Sequence, residues 1–135
     1  MTRSVLADTG PLYALADPSD QFHHRAHQEL TQLIREKGSV IVTYPILCQA
    51  YTLVLRRLGN AYALQWLAEI SKSGTLINPD VADFHRASTA LKLFSDQPIT
   101  LVDAVLAQIS ERLQTPIWTY DRHFTTLRAD VWPAN

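Results

Sequence analysis

Four short apolar segments that alternate with stretches of helical periodicity constrain the fold of this 135-residue chain more than any other feature. The strand-like segments are apolar or β-branched and end at turn-forming residues, and they cover residues 5–7, 40–43, 75–77 and 117–120. Apolar residues recur at helical spacing in residues 22–37, 46–58, 61–71 and 101–113, and in a segment that starts at 79–80. Strands joined through helices pair in parallel, so the pattern predicts an α/β sandwich with a central parallel sheet of four to five short strands flanked by helices.

Size and composition indicate one globular domain over residues 1–135. Hydrophobic residues make up 47% of the chain and charged residues 19%, which argues against disorder. No apolar run approaches the roughly 20 residues that span a bilayer, and the N-terminus lacks a signal peptide pattern, so we expect a cytoplasmic protein without a membrane segment. The net charge of -1 argues against a broad basic surface, so any nucleic-acid binding must be local or assisted by a cation. The one cysteine, Cys48, lies in an apolar stretch and is expected to be a reduced core thiol.

Three aspartates stand where ligands bind in folds of this class. Asp8, in SVLADTGPLYAL, ends the first strand-like segment, and Asp121, in IWTYDRHF, ends the last one in the same way. Asp103, in PITLVDAVLAQI, falls at the start of an apolar helix. Ligands of parallel sheets bind at the carboxyl ends of the strands, so the pattern predicts that these three carboxylates share one site.

Each of these acids also has a structural explanation. Asp8 and Asp121 have the position of turn or N-cap residues, and Thr100 with Asp103 resembles a capping box. Together, however, carboxylates ~5 Å apart at an effective dielectric constant of ~20 would repel each other by ~3 kcal/mol. A cation should offset that repulsion, and a set of oxygen ligands favours Mg²⁺ or Mn²⁺ over zinc.

The chain resembles the PIN-domain ribonucleases, in particular the VapC-like toxins of type II toxin-antitoxin modules. The resemblance lies in ADTGPLYAL, DPSDQFHHRA, TLVDAVLAQ and TYDRHF, whose order and spacing cover nearly the whole chain. It implies a PIN-like three-layer sandwich, a metal-dependent site at the strand ends and hydrolysis of RNA phosphodiester bonds. It further implies a homodimer and an antitoxin protein that blocks the site.

On this basis Asp8 and Asp103 are expected to be the principal ligands of the metal, with Asp121 a ligand or a base that positions water. Two threonines, Thr9 and Thr119, lie next to these acids and could orient water or phosphate, although such hydroxyls also satisfy turn backbone. Arg122 follows Asp121 directly and is a candidate phosphate contact.

One position departs from the family pattern. PIN-domain nucleases usually carry a glutamate early in the helix after the second strand, where TYPILCQAYTLV offers Gln49. An amide oxygen can ligate a metal but adds no negative charge, so the departure predicts a lower metal affinity. Asp96, in FSDQPIT, would compensate in part if it faced the site, but a solvent-facing turn is the simpler interpretation.

Two alternatives to a nuclease remain open at this point. The first is a PIN-like module that has lost turnover with the glutamate and binds RNA or a partner protein. The second is a small-molecule phosphohydrolase on a similar α/β frame. Separately, His23 and His27 lie one helical turn apart and would suit a metal, although a solvated helix face explains them better because no further ligand at zinc-site spacing is evident.

Overall fold

The computed structural model describes residues 3–134, and it confirms the alternation of strands and helices. Within these residues five strands run over Ser4–Ala7 (β1), Ser39–Thr43 (β2), Thr75–Ile77 (β3), Ile117–Trp118 (β4) and Val131–Trp132 (β5). Seven helices run over Thr9–Ala16 (α1), His23–Arg35 (α2), Tyr44–Leu58 (α3), Asn60–Ser73 (α4), Val81–Leu93 (α5), Leu101–Leu113 (α6) and His123–Thr126 (α7). No helix within 3–134 has both the length and the apolar character needed to cross a bilayer.

The sheet has the strand order β3-β2-β1-β4-β5, and all of its pairings are parallel. Strand β1 lies at the centre, with Leu6 opposite both Ile41 of β2 and Ile117 of β4. The prediction of an α/β sandwich around a parallel sheet is therefore confirmed. The carboxyl ends of β1 and β4 are neighbours, which brings the residues after Ala7 and after Trp118 together.

Two details of strands β4 and β5 differ from the sequence prediction. Strand β4 ends at Trp118, so residues 119–121 leave the sheet before Asp121 is reached. The edge strand β5 was not predicted, because two residues are too short to show a periodic pattern. Trp132 of this strand is buried and packs edge-to-face on Trp118, with ring centroids 5.9 Å apart.

Burial follows the predicted apolar faces only in part, because Ile34, Leu64 and Phe84, which fit the helical spacing of their segments, are 64%, 53% and 39% exposed. Residues Val5, Leu6 and Ala7 of β1 are completely buried, as expected for a central parallel strand covered by helices. Helices α1 to α4 pack against one another, and α5 packs against α6. The core therefore packs around β1.

A buried carboxylate joins α5 to α6. Asp83 is fully buried, and it accepts hydrogen bonds from Arg112 Nε (3.0 Å) and Nη2 (2.8 Å), from Arg86 Nη2 (2.8 Å) and from the Asp80 backbone N–H (2.8 Å). The guanidinium of Arg112 is the main reason why the pKa of Asp83 lies below its usual value. This pairing holds α6 in place, and α6 carries Asp103 at its start.

The expectation for Cys48 was wrong. Helix α3 buries Ile46, Leu47, Ala50 and Val54, which recur every three to four residues on one face. Cys48 lies on the opposite face and is exposed.

Gly38 plays a different role from the helix cap that its position after α2 predicts. The left-handed residue is Lys37, with φ of 57°. A Cβ atom on Gly38 would collide with the Leu33 side chain and the Arg3 carbonyl oxygen, so glycine is required there by close packing.

Candidate active site

The carboxyl ends of β1 and β4 open into a cavity of about 700 Å³. Helices α1, α6 and α7 begin at this cavity, so their first turns face it. The residues of interest that line it are Asp8, Thr9, Gln49, Asp103, Asp121 and Arg122, with His123 beside them. The structure therefore brings the three predicted aspartates, which are far apart in sequence, to one place.

Asp8 links the central strand to α1. It caps the helix, with Oδ1 accepting from the Thr9 N–H at 2.8 Å, and its Oδ2 accepts from the Thr119 hydroxyl at 2.8 Å. The residue is only 6% exposed. Burial raises the pKa of Asp8 to about 6 against the opposing effect of these hydrogen bonds, and the charges of Asp103 and Asp121 raise it further.

Thr119 connects the two strand ends. Its hydroxyl donates to Asp8 and accepts a hydrogen bond from the Asp121 backbone N–H at 3.0 Å. The residue is buried. Both hydrogen bonds are to protein groups, so Thr119 holds the acids in position.

Asp103 lies in the first turn of α6, where Thr100 is the N-cap and accepts from the Asp103 backbone N–H at 3.1 Å. The Thr100 half of the predicted capping box is therefore present. Asp103 is 8% exposed, and burial is the main cause that raises the pKa of its carboxyl group. A hydrogen bond with Thr100 opposes this effect. The nearby Asp121 raises the pKa further, whereas His123 lowers it. A cap alone needs no buried carboxylate, because the Thr100 hydroxyl makes the capping bond.

Asp121 lies in the loop between β4 and α7. Its Oδ1 accepts from the His123 N–H at 2.8 Å, which is the turn expected from the sequence, and its side chain is 40% exposed. The turn engages only one of the two carboxylate oxygens. The same residue therefore shapes the loop and presents a carboxylate to the cavity.

His123 is a residue of this site that the sequence interpretation missed. Its Nδ1 lies 3.5 Å from Asp121 Oδ1 and 4.0 Å from Asp103 Oδ2. One potential ligand atom from each of these three residues lies within 4.8 Å of the other two. The only signal in the sequence is the spacing of two residues from Asp121, since an aspartate turn leading into a helix returns the second residue toward the carboxylate.

Of the other residues predicted for the site, Thr9, Gln49 and Arg122 line the cavity and Asp96 does not. Thr9 donates its hydroxyl to Gln49 Oε1 at 2.6 Å, so the residue at the usual glutamate position is tied to α1. Arg122 is exposed on the cavity wall, where Arg57 also lies, stacked on the Tyr13 ring at 5.0 Å. Asp96 is exposed in the loop between α5 and α6, outside the residues that line the cavity, which agrees with the simpler turn interpretation.

A buried glutamate supports one wall of the cavity. Glu29 of α2 accepts from Trp118 Nε1 at 2.9 Å and from the Tyr120 hydroxyl at 2.6 Å, and Arg25 pairs with it at 3.2 Å. Burial, followed by the bond to Glu29, raises the pKa of Tyr120 well above its usual value. These bonds fix the chain between β4 and Asp121.

The donor chemistry of the cavity fits a divalent metal ion. Carboxylate oxygens dominate it, and they are the ligands that Mg²⁺ and Mn²⁺ take in proteins. The raised pKa values of Asp8 and Asp103 show that the protein itself does not fully compensate their negative charges. A cation held among these groups would do so.

Comparison with known proteins relates the fold to solved structures. No family model matches the chain, and no curated protein matches it. The structure superposes on Mycobacterium tuberculosis VapC20, a sarcin-ricin loop cleaving toxin, with a TM-score of 0.82 at 18% identity over 93% of this chain and 95% of that one. Rickettsia felis VapBC2, solved bound to a DNA fragment from its promoter, gives 0.72 at 10% identity over 95% and 96%. Neisseria gonorrhoeae FitAcB gives 0.68 at 16% identity over 94% and 95%.

Proposed function

We propose that this chain, which has the VapC-like PIN fold, is a metal-dependent endoribonuclease that acts as the toxin of a toxin-antitoxin module. The observation that carries the proposal is the convergence of Asp8, Asp103 and Asp121 on one open cavity at the strand ends. The similarity in fold to VapC20, a toxin that cleaves the sarcin-ricin loop, supports RNA as the substrate class.

Asp8, Asp103 and Asp121 would hold Mg²⁺ or Mn²⁺. A bound divalent ion supplies positive charge for the carboxylates and the phosphate, and it acidifies a water molecule for attack on phosphorus. Asp8 is suited to a fixed ligand because both of its oxygens are oriented by hydrogen bonds, from Thr9 and Thr119. Each oxygen keeps a second lone pair for the ion.

The chain's own residues supply the rest of the proposed mechanism. Asp121 is the most exposed of the three acids and is suited to orient a water molecule or accept its proton. Arg57 and Arg122 lie on the cavity wall and would bind the phosphates on either side of the cleaved bond. Together these groups would fix the phosphodiester for in-line attack.

Cleavage of RNA by the purified protein tests the proposal. A single-stranded RNA and a hairpin with the sarcin-ricin loop sequence are incubated with EDTA, Mg²⁺ or Mn²⁺. Cleavage is expected only with the metal, and Asp8→Asn should abolish it. The matched control is Asp96→Asn, which makes the same change outside the cavity and should cleave like wild type. Intact RNA in all conditions would overturn the proposal.

Gln49 supports a second candidate, a PIN-like module that binds RNA or a partner without turnover. Its amide oxygen accepts the Thr9 hydroxyl, and it adds no charge to the site. If wild type is inactive and Gln49→Glu cleaves RNA, this candidate replaces the nuclease. Turnover of a phosphomonoester with RNA left intact would favour a small-molecule phosphohydrolase.

The proposal includes an antitoxin partner, a homodimer and a cytoplasmic location. The similarity in fold to VapBC2 and FitAcB supports the partner. Tyr62 and Leu64 of α4 expose 44% and 53% of their surface, so α4 has apolar area available for an interface, whereas Trp66 is buried in the core. Light scattering of the purified chain tests the dimer. If the neighbouring reading frame encodes a small antitoxin, its co-expression with this chain should yield a complex that does not cleave RNA.

A further inference from the structure

The tightest group of potential metal ligands in residues 3–134 is not the three aspartates. It consists of Asp103, Asp121 and His123, and it includes a histidine nitrogen. Asp8 is close enough for its pKa to respond to Asp103 and Asp121, but it is not part of that group. The geometry therefore points to a donor set that differs from the all-oxygen set expected from the sequence.

The distances around His123 suit a shared ion. Ligand atoms lie about 2.1 Å from ions of this size, so two ligands of one ion are at most about 4.2 Å apart. His123 Nδ1 lies 3.5 Å from Asp121 Oδ1 and 4.0 Å from Asp103 Oδ2, both within that limit. The His123 backbone N–H bonds to Asp121 at 2.8 Å, which holds the start of α7 against the carboxylate.

The α3 side of the cavity offers Gln49, an uncharged residue. Its carbonyl oxygen already accepts the Thr9 hydroxyl at 2.6 Å. The cavity therefore has a nitrogen donor in α7, whereas α3 offers only an uncharged amide oxygen. Imidazole is a good ligand for first-row transition ions, whereas Mg²⁺ binds through oxygen.

We infer that His123 is a metal ligand through Nδ1 and that the centre selects Mn²⁺ over Mg²⁺. The inference rests on the proposed function for the presence of a metal, but it does not depend on the RNA substrate. It also reassigns Asp121, which becomes a ligand beside His123.

The experiment measures metal binding without RNA. Mn²⁺ is titrated into the protein and the free ion is followed by electron paramagnetic resonance, with Mg²⁺ as competitor. Wild type is expected to bind Mn²⁺ at least about tenfold more tightly than Mg²⁺. Loss of a group that only contacts a metal ligand weakens metal affinity about 10- to 100-fold. Loss of a direct ligand should cost at least as much, so His123→Ala should weaken Mn²⁺ binding by about tenfold or more. Mg²⁺ binding should stay nearly unchanged, because Mg²⁺ binds through oxygen. His85→Ala, on the exposed face of α5, is the matched control and should match wild type.

Pulsed electron paramagnetic resonance on the Mn²⁺ complex of the wild-type protein detects nitrogen ligation directly. It should detect coupling between the Mn²⁺ electron spin and a nitrogen nucleus, and His123→Ala should lose that coupling. An absent coupling, or an unchanged Mn²⁺ to Mg²⁺ ratio in folded His123→Ala, overturns the inference and leaves a histidine that only offsets the charge of the acids. This inference and the nuclease proposal can fail independently. RNA cleavage that depends on Asp8 can occur without nitrogen ligation, and nitrogen ligation can occur without RNA cleavage.

Discussion

Replacing Asp8 by asparagine should stabilise the fold while it removes activity. Asp8 is buried among like charges, and these surroundings raise its pKa from 3.8 to about 6. Its folded form therefore binds a proton more readily than its unfolded form. The stability that protonated Asp8 contributes is present below pH 3.8 and is lost as the pH rises toward 6.

The size of the effect follows from the shift in pKa. A difference of about two pKa units, at about 1.4 kcal/mol per unit, makes ionised Asp8 cost about 3 kcal/mol at neutral pH. Asparagine stays neutral and fits the same contacts. Its Oδ1 can accept from the Thr9 N–H, and its Nδ2 can donate to the Thr119 hydroxyl oxygen.

Urea unfolding in EDTA measures this difference. At about pH 7.5 we expect the free energy of unfolding of Asp8→Asn to exceed that of wild type by about 2 to 3 kcal/mol. Near pH 4 the difference should fall well below about 1 kcal/mol, because Asp8 is then protonated in the folded wild type and partly protonated in the unfolded chain. Asp96→Asn, in the exposed loop, should show no difference at either pH.

A metal ion should reverse the order of stability. Mn²⁺ stabilises whichever protein binds it in the folded state, so it should raise the unfolding free energy of wild type more than that of Asp8→Asn, which keeps Asp103, Asp121 and His123 but lacks the Asp8 charge. An Asp8→Asn variant that is no more stable than wild type at neutral pH without metal would show that ionised Asp8 does not destabilise the fold. In that case the protein itself offsets the negative charges of the carboxylates, and no cation is needed to do so.

Three further outcomes are expected. Asp83→Asn should lower the free energy of unfolding in urea by about 2 to 3 kcal/mol. This is less than the usual loss of about 3 to 5 kcal/mol for breaking a buried ion pair, because Arg112 stays partly hydrated. The pKa of Asp83 is lowered, so the advantage of wild type should fade as acid protonates this carboxylate. Gln49→Glu should tighten Mn²⁺ binding several-fold in a titration, since a carboxylate replaces an amide, and unchanged affinity would mean that this side of the cavity does not reach the ion. Gly38→Ala should lower the unfolding free energy by about 1 to 3 kcal/mol, because the new methyl group meets Leu33 and backbone, and a neutral result would show that β2 shifts to make room.

The aspartates of the cavity show how much of this site the sequence alone predicts. Asp8 and Asp103 follow or begin elements with strong patterns, and a parallel sheet places all strand ends of one sense on one edge. Their proximity was therefore predictable without coordinates. Their roles in catalysis remain a prediction that the RNA assay tests.

Other parts of the site depend on contacts between distant segments. Glu29 looked like one more polar residue of an amphipathic helix, yet it is buried against Trp118 and Tyr120, about 90 residues away. His123 gained its importance only from the position of Asp103 on another helix. Neither contact leaves a local pattern, because periodicity reports which face of an element is buried but not which side chains it meets.

By itself the sequence determined the alternation of strands and helices, the parallel sheet that follows from it, and the edge at which acidic residues collect. These depend on local apolar periodicity and on turn residues, which act within a few residues of each other. Tertiary structure alone decided that Thr119 bridges two acids, that Asp83 joins two helices and that a histidine completes the tightest group of donor atoms. Such features depend on side-chain distances of a few ångströms between segments far apart in the chain, and only packing sets those distances.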